Sequence, residues 1–433
     1  MKLTYAIRGA RKLAPLFSLL LASGAMAQDF AIGSAFGSSP LRVYAVSASG
    51  EISLHHTAIG STQTPRVAVD SGGRFAVTII GPNDLNVFRI AHDRTLSIAA
   101  SVEAGPDLRY DSDIALSPDG RLILASLRDV AQFETVGFGT FIVNNRLGLS
   151  TTGSFLRKDE SSFAGIGFNN WTIADRGEPY TGIINLSGTR ELTTLALSST
   201  GEIIDTGQRT TTSDLLNVPF DLSEDGHWAI SGGNLPIALF EVSEDGIVTL
   251  ADIEEGPEPS AGSFGVRFFP DLSGIATIGY LDAMATIEFS ESSLIGDTLD
   301  VEGVGIGAPE AMDINPAGDL ILVDDQSGGG EFSLFTYHLA SDGQLTPTGF
   351  SLAKSFKLGD IQFIPPLTPP TLPGDANLDG LVDTADLVFL INEALPDDKP
   401  ILLPQNFANA DIDGDIDVDQ DDFGQILALI LGL

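Results

Sequence analysis

Between residues 40 and 365 the chain repeats one phrase. A short strand of alternating apolar and polar residues runs into a glycine-containing turn, and a second apolar strand follows. Arg66 to Gly73 precedes Arg74 to Ile80, and Asp113 to Gly120 precedes Arg121 to Ala125. Phe220 to Gly226, Phe268 to Gly274 and Met312 to Gly318 repeat the pattern. Period-two alternation bounded by Asp-Gly or Pro-x-Gly predicts β-hairpins. Successive turn glycines, Gly73, Gly120, Gly226, Gly274 and Gly318, lie 47, 106, 48 and 44 residues apart. The long gap fits two periods, so a degraded unit is expected near residues 162–207, with Ala164 to Phe168 and Trp171 to Ala174 as its first strands. Two further strands follow each hairpin, giving about four strands per repeat, the size of a propeller blade.

The chain ends predict closure. Strands over Leu41 to Val46 and Ile52 to Thr57 precede the first full hairpin and lack an inner strand. Asp360 to Pro365, which aligns with Asp113 to Pro118, is placed to supply it. Inner strands near residues 66, 113, 164, 218, 265, 311 and 361 make the expected fold mainly β, a seven-bladed β-propeller closed by a C-terminal strand. Such a clasp removes open sheet edges. A flat β-solenoid or stacked sandwiches are the alternatives. The Ser117 to Gly120 turn (Ser-Pro-Asp-Gly) and its repeats resemble the lactonase-like and surface-layer-type propeller superfamily over about 320 residues. That resemblance implies a fold and leaves the activity open.

The pattern then breaks. Pro365, Pro366, Pro369, Pro370 and Pro373 predict a semi-rigid extended linker over 365–373 between a 28–364 propeller and a small 374–433 domain. In the latter, Asp375, Asn377, Asp379, Gly380, Asp383 and Asp386 stand at positions 1, 3, 5, 6, 9 and 12 of an EF-hand-type loop. Calcium takes six to eight oxygens, alternate loop residues supply them, Leu381 offers its carbonyl at position 7, and glycine permits the turn. Apolar Val382 is expected in a short strand joining paired loops, and an apolar helix follows from Leu387. The second loop has two registers. Starting at Asp411 gives Asp413, Asp415, Asp417, Asp419 and Asp422 at 3, 5, 7, 9 and 12, but puts Ile416 where glycine is wanted. Starting at Asn409 recovers Gly414 there but loses the last carboxylate to Gln420. The first keeps that carboxylate and aligns Phe423 with Leu387. A β-branched residue at positive φ costs about 1–2 kcal/mol, so this loop is the weaker of two expected Ca2+ sites.

Neither loop has a sequence-predicted helix before it. Loop-then-helix twice, with starts 36 residues apart, resembles a type I dockerin, most specifically over Gly374 to Leu387. The resemblance implies a small α-helical, calcium-folded domain that docks on a cohesin-bearing partner, reading it through loop positions 10 and 11. Those are Thr384 and Ala385 in one repeat and Gln420 and Asp421 in the other. Because the repeats differ, two interchangeable docking faces are not expected.

Charge narrows the partners. The chain holds 59 acidic and 22 basic residues, a net of −37, with no cysteine. Nucleic acid and anionic membrane surfaces are poor partners for such a chain, and divalent cations good ones. Four of the positive charges, Lys2, Arg8, Arg11 and Lys12, precede an apolar run over Leu13 to Leu21 and the small-x-small pattern Ala25-Met26-Ala27. This is a signal peptide over 1–27, predicting export to the cell surface or medium and a mature chain from Gln28 with no membrane span. An uncleaved anchor is the alternative.

Catalytic residues are not legible. Arg66, Tyr110, Asp113, Arg128, Asp282, Glu310, Asp324 and Asp325 are candidates for one channel rim, where a carbohydrate or small molecule would bind. The five histidines do not assemble, and Trp171 and Trp228 read as packing residues. Two functions follow: an exported recognition or scaffold propeller with a calcium-dependent docking tail, or a hydrolase of the lactonase or O-glycosyl, polysaccharide-degrading type delivered by that tail. Buried acids with a basic partner at the channel mouth would favour the hydrolase.

Overall fold

A computed structural model describes residues 28–431 apart from 36–39, 59–61, 82, 132–134, 158–166, 175–178, 188–190, 212–219, 224, 233–236, 255–262, 270–274, 281–282, 291–293, 304–310, 327–331 and 397–398. The segment 1–27 expected to be a signal peptide, Gly274, Asp282 and Glu310 lie outside the described residues.

The alternating segments form seven four-stranded antiparallel sheets in a propeller-like arrangement. Their first strands are Leu358–Phe363 in sheet I, then Thr62–Val69, Leu108–Leu116, Gly167–Ala174, Phe220–Leu222, Ser263–Phe268 and Ala311–Ile314 in sheets II to VII. Each first strand touches that of the next sheet, and sheet VII returns to sheet I. Middle strands such as Phe75–Ile80 are buried on both faces because sheets stack against each other. Outermost strands such as Leu149–Arg157 keep one face in water.

Sheet I is the clasp. Leu358–Phe363 pairs with Gln28–Ala35, which pairs with Arg42–Ser47. The strand Gln28–Ala35 was not foreseen. In the degraded unit the described parts of the two expected first strands are one strand, Gly167–Ala174, with a register shift between Phe168 and Trp171; residues 164–166 lie outside the described residues. Thr140, Thr286 and Thr336, on the third strands of sheets III, VI and VII, each donate to a turn glycine carbonyl of the following sheet (Gly201, Gly343 and Gly50).

The proline-rich segment is not a free spacer. Pro365 passes over Gly73, where its carbonyl occupies the space a Cβ would need, and Gly73 adopts φ +66°. Leu367 packs into a core shared by sheets II and III and the tail. That core takes in Phe75, Val87, Phe141, Ile401, Phe407, Ile416 and Ile426. The tail is therefore seated on the propeller side. A small unit with too little apolar surface of its own gains burial this way.

Candidate functional sites

The central channel is a cavity of about 330 Å³ lined by residues from all seven first strands. Five charged side chains meet there, Arg66, Asp221, Arg267, Asp313 and Asp360. Arg267 Nε lies 3.3 Å from Asp313 Oδ1, and Nη2 lies 3.6 Å from Asp360 Oδ1. Asp221 is the third acid in the field of Arg267. Each acid also ties one first strand to the next. Asp221 Oδ2 accepts from the Phe268 amide at 2.7 Å, Asp313 Oδ2 from Phe363 at 2.6 Å, and Asp360 Oδ2 from Val67 at 3.2 Å. Gln362 Oε1 accepts from Val69 at 2.9 Å in the same way. Side-chain to backbone bonds thus bridge sheets V to VI, VII to I and I to II, where no ladder crosses among the described residues.

Burial pushes all three carboxyls up, against the pull of Arg267; Asp313 rises to about 6. At Asp360, Arg66 pulls down more strongly than Arg267. Burial would lower Arg267, but the surrounding acids raise it overall. The result is a group of three raised carboxyls around Arg267, with Arg66 beside Asp360, in which Asp313 is poised near pH 6.

Of the rim candidates, only Arg66 is placed among the channel-lining side chains described. Tyr110 is buried in the shared core, and Arg128 lies on the second strand of sheet III. Asp324 is fully buried, pairs with Lys354 and accepts from the Leu358 amide at 2.7 Å. The side chains of Asp113 and Asp325 lie outside the described residues, as do Asp282 and Glu310. Sequence reasoning missed Asp221, Asp313 and Asp360, although each was visible as an acid inside a recurring first strand. Trp228 packs in the core of sheets V and VI; the side chain of Trp171 is not described.

The tail builds two loops on one frame. Asp375 Oδ1 and Oδ2 accept from the Asp379 and Gly380 amides at 3.0 Å each. Asp411 Oδ1 and Oδ2 accept from Asp415 and Ile416, both at 3.1 Å. Asp386 Oδ1 and Oδ2 take the Asn377 and Asp383 amides; Asp422 takes those of Asp413 and Asp419. Positive φ falls at Leu378 (62°) and Gly380 (87°), and again at Gly414 (74°) and Ile416 (66°). All these equivalences share the 36-residue offset of the register starting at Asp411. One oxygen each of Asp411, Asp413 and Asp415 lie within 4.8 Å of one another, as do those of Asp417, Asp419 and Asp422.

Helices follow each loop. The first, α1 (Thr384–Phe389), starts with a capping box between Asp383 and Asp386 and continues into a π-turn over Leu390–Ala394. The helix after loop 2, α3 (Gln420–Leu431), is twice as long. Two expectations are corrected. Helix α2 (Pro404–Ala410) directly precedes loop 2; Pro404 sits near its start, where a missing amide hydrogen costs nothing. And no ladder joins the loops at Val382 and Val418 among the described residues; the Val418 amide donates instead to the Asn145 carbonyl of sheet III.

Loop 2 is the one held by the propeller. Arg89 Nη2 lies 2.7 Å from Asp417 Oδ2, Arg89 Nη1 donates to the Asp415 carbonyl at 2.7 Å, and His92 Nε2 is 3.0 Å from the Gly414 carbonyl. Arg74, paired at 2.7 Å with fully buried Asp70, donates to the Leu402 carbonyl and faces the Phe407 ring. Asn145 Oδ1 accepts from the Leu402 amide at 2.7 Å. Thr384, Ala385, Gln420 and Asp421 are all exposed. Among the described residues no helix is long and apolar enough to cross a membrane.

No family model matches the chain. No curated protein matches it. Solved structures do resemble it in fold. A candidate 6-phosphogluconolactonase of Bacteroides fragilis aligns with a TM-score of 0.62 at 14% identity, covering 79% of this chain and 99% of its own. A second, of Bacteroides uniformis, gives 0.63 at 13%, covering 78% and 99%. A protein of Lactobacillus plantarum gives 0.61 at 12%, with the same coverage of 78% and 99%. The chain is similar to lactonase-like β-propellers in fold.

Proposed function

We propose that this is an exported recognition or scaffold protein, a seven-bladed β-propeller carrying a dockerin-like tail that binds two calcium ions and docks a cohesin-type partner. The observation that carries the reading is the residue-for-residue equivalence of the two tail loops. Aspartates at equivalent positions fold each loop around its own backbone amides, and in the second loop further carboxylate oxygens lie, in two groups, within 4.8 Å of one another. That donor set, hard oxygens with a position-7 carbonyl at Leu381 or Asp417, suits Ca2+. Bound calcium would neutralise mutually repelling carboxylates and stabilise the tail. Asp375, Asn377, Asp379, Asp383 and Asp386 would hold one ion, and Asp411, Asp413, Asp415, Asp419 and Asp422 the other. The exposed Thr384, Ala385, Gln420 and Asp421 would face the partner.

The test is calorimetric titration of calcium into the chelator-treated full chain. Two sites are expected, the Asp411 loop the weaker, with Asp386→Asn and Asp422→Asn each abolishing one. No calcium binding would refute the reading, and two sites without capture of any cohesin module would remove its docking half.

A hydrolase of the lactonase or O-glycosyl type is the second reading. It is favoured by the Asp313 carboxyl, held near pH 6 beside Arg267 and Asp360. A carboxyl with that pKa can give or take a proton at neutral pH. Hydrolysis of gluconolactones or aryl glycosides that disappears in Asp313→Asn would establish it. An inactive parent chain across both panels would dismiss it.

A further inference from the structure

A second cavity, of about 450 Å³, lies away from both sites, where the outer parts of sheets I and VII meet. Its size is that of a small-molecule pocket. Arg42 and Tyr44 line it from the third strand of sheet I, Arg42–Ser47. Leu352, Lys354 and Phe356 line it from the last strand of sheet VII and the crossing into sheet I.

Its polar groups are unusual in their lack of partners. Tyr44 is 2% exposed, and its hydroxyl has no hydrogen-bond partner among the described residues. The same holds for Arg42 Nη1. The Arg42 guanidinium lies 3.8 Å from the centroid of the Phe356 ring, and Arg42 makes no ion pair among the described residues. Lys354, by contrast, is neutralised by Asp324 and donates to the Phe356 carbonyl at 3.0 Å. Among the described residues the local balance is one uncompensated cation, in a chain whose net charge is −37. An unsatisfied buried donor costs stability, which a ligand oxygen would recover.

We infer that this pocket binds a small organic carboxylate with an apolar or aromatic body. The carboxylate would accept from Arg42 Nη1 and the Tyr44 hydroxyl, and the body would lie against Leu352 and Phe356. A neutral ligand would leave the Arg42 charge unanswered, and a phosphate-sized anion would not use the apolar wall. Burial pushes the Tyr44 phenol up, with Asp324 adding to it against Arg42, so the hydroxyl remains a donor at neutral pH.

Benzoate and benzamide are the probes, titrated into the purified full chain and followed by ligand-observed NMR. Benzoate should bind saturably, and benzamide at least tenfold more weakly. Arg42→Gln should weaken benzoate at least tenfold and Tyr44→Phe about threefold or more. The inference is overturned if benzoate shows no saturable binding, if benzamide binds equally well, or if Arg42→Gln leaves benzoate affinity unchanged. Should Arg42→Gln not fold, Tyr44→Phe decides: unchanged affinity there overturns the assignment equally.

Discussion

Two clusters of aspartates sit at opposite ends of the same problem. In the channel, Asp221, Asp313 and Asp360 surround Arg267, and each spends an oxygen on a backbone amide of the adjoining sheet. In the second tail loop, Asp411, Asp413, Asp415, Asp417, Asp419 and Asp422 use the same kind of bond to fold the loop, but among the described residues the only basic side chain touching them is Arg89. Carboxylates that bring their own cation finish a structure. Carboxylates that lack one are those for which a calcium ion is proposed. Residue type alone does not separate these roles; the local count of opposite charge does.

Removing the internal cation is the most damaging way to break this contrast. Arg267→Gln removes the arginine that pulls on Asp221 and Asp313 and leaves Asp360 with Arg66 alone, and breaking a buried pair from one side costs about 3–5 kcal/mol. Chemical denaturation should show a loss of that order, with protonation of the channel acids partly relieving it at low pH. The intact channel has its own pH signature. The folded pKa of Asp313 is raised to about 6, so between about pH 4 and 6 the native state holds a proton the unfolded chain has released. This group's contribution to stability is full below about pH 4 and is lost as pH rises through 6. Asp313→Asn should flatten that part of the stability profile; an unchanged slope would place the titration on another residue.

The tail permits a finer comparison, between its two loops. Gly380 and Ile416 occupy the same position with φ of 87° and 66°. A Cβ at Gly380 would meet nothing within 4 Å, whereas Ile416 is 3% exposed in the core shared with sheets II and III. The isoleucine that looks like a defect within the loop is an anchor for docking the tail. Ile416→Gly relieves strain of about 1–2 kcal/mol but forfeits burial worth about 2–5 kcal/mol. A net loss of about 1–3 kcal/mol is expected by denaturation. A gain in stability would mean that strain outweighs packing.

The difference between legible and illegible parts has a physical basis. Strand alternation and turn glycines are local, so first strands near 66, 113, 218, 265, 311 and 361 and the terminal clasp could be read directly. The loop frame was legible for the same reason, since an aspartate two residues before an amide declares its own bond. Gln28–Ala35 was overlooked because it abuts the segment read as a signal peptide and has no turn glycine ahead of it. The channel cluster needs seven strands brought around one axis, so Asp221, Arg267, Asp313 and Asp360, far apart in sequence, could not be associated. Tail docking depends on Arg74, Arg89 and Asn145, which carry no motif, and the proline run before it read as a spacer because composition does not reveal what a segment packs against.

The smallest effect is the most discriminating. Arg89 is about one quarter exposed and Asp417 less so, so their pair should contribute under about 1 kcal/mol and fade as salt rises. Arg89→Ala should therefore scarcely alter the denaturation midpoint. Its consequence lies in the second loop's affinity for calcium. Arg89 places a positive charge on the carboxylates that would otherwise attract the ion, so its removal should tighten that loop several-fold and leave the Asp375 loop, which it does not touch, unchanged. Weaker binding after Arg89→Ala would assign this arginine a different part. Through its bond to the Asp415 carbonyl it would then be holding the loop in shape, and the second loop, like the channel, would owe its order to a cation the protein supplies itself.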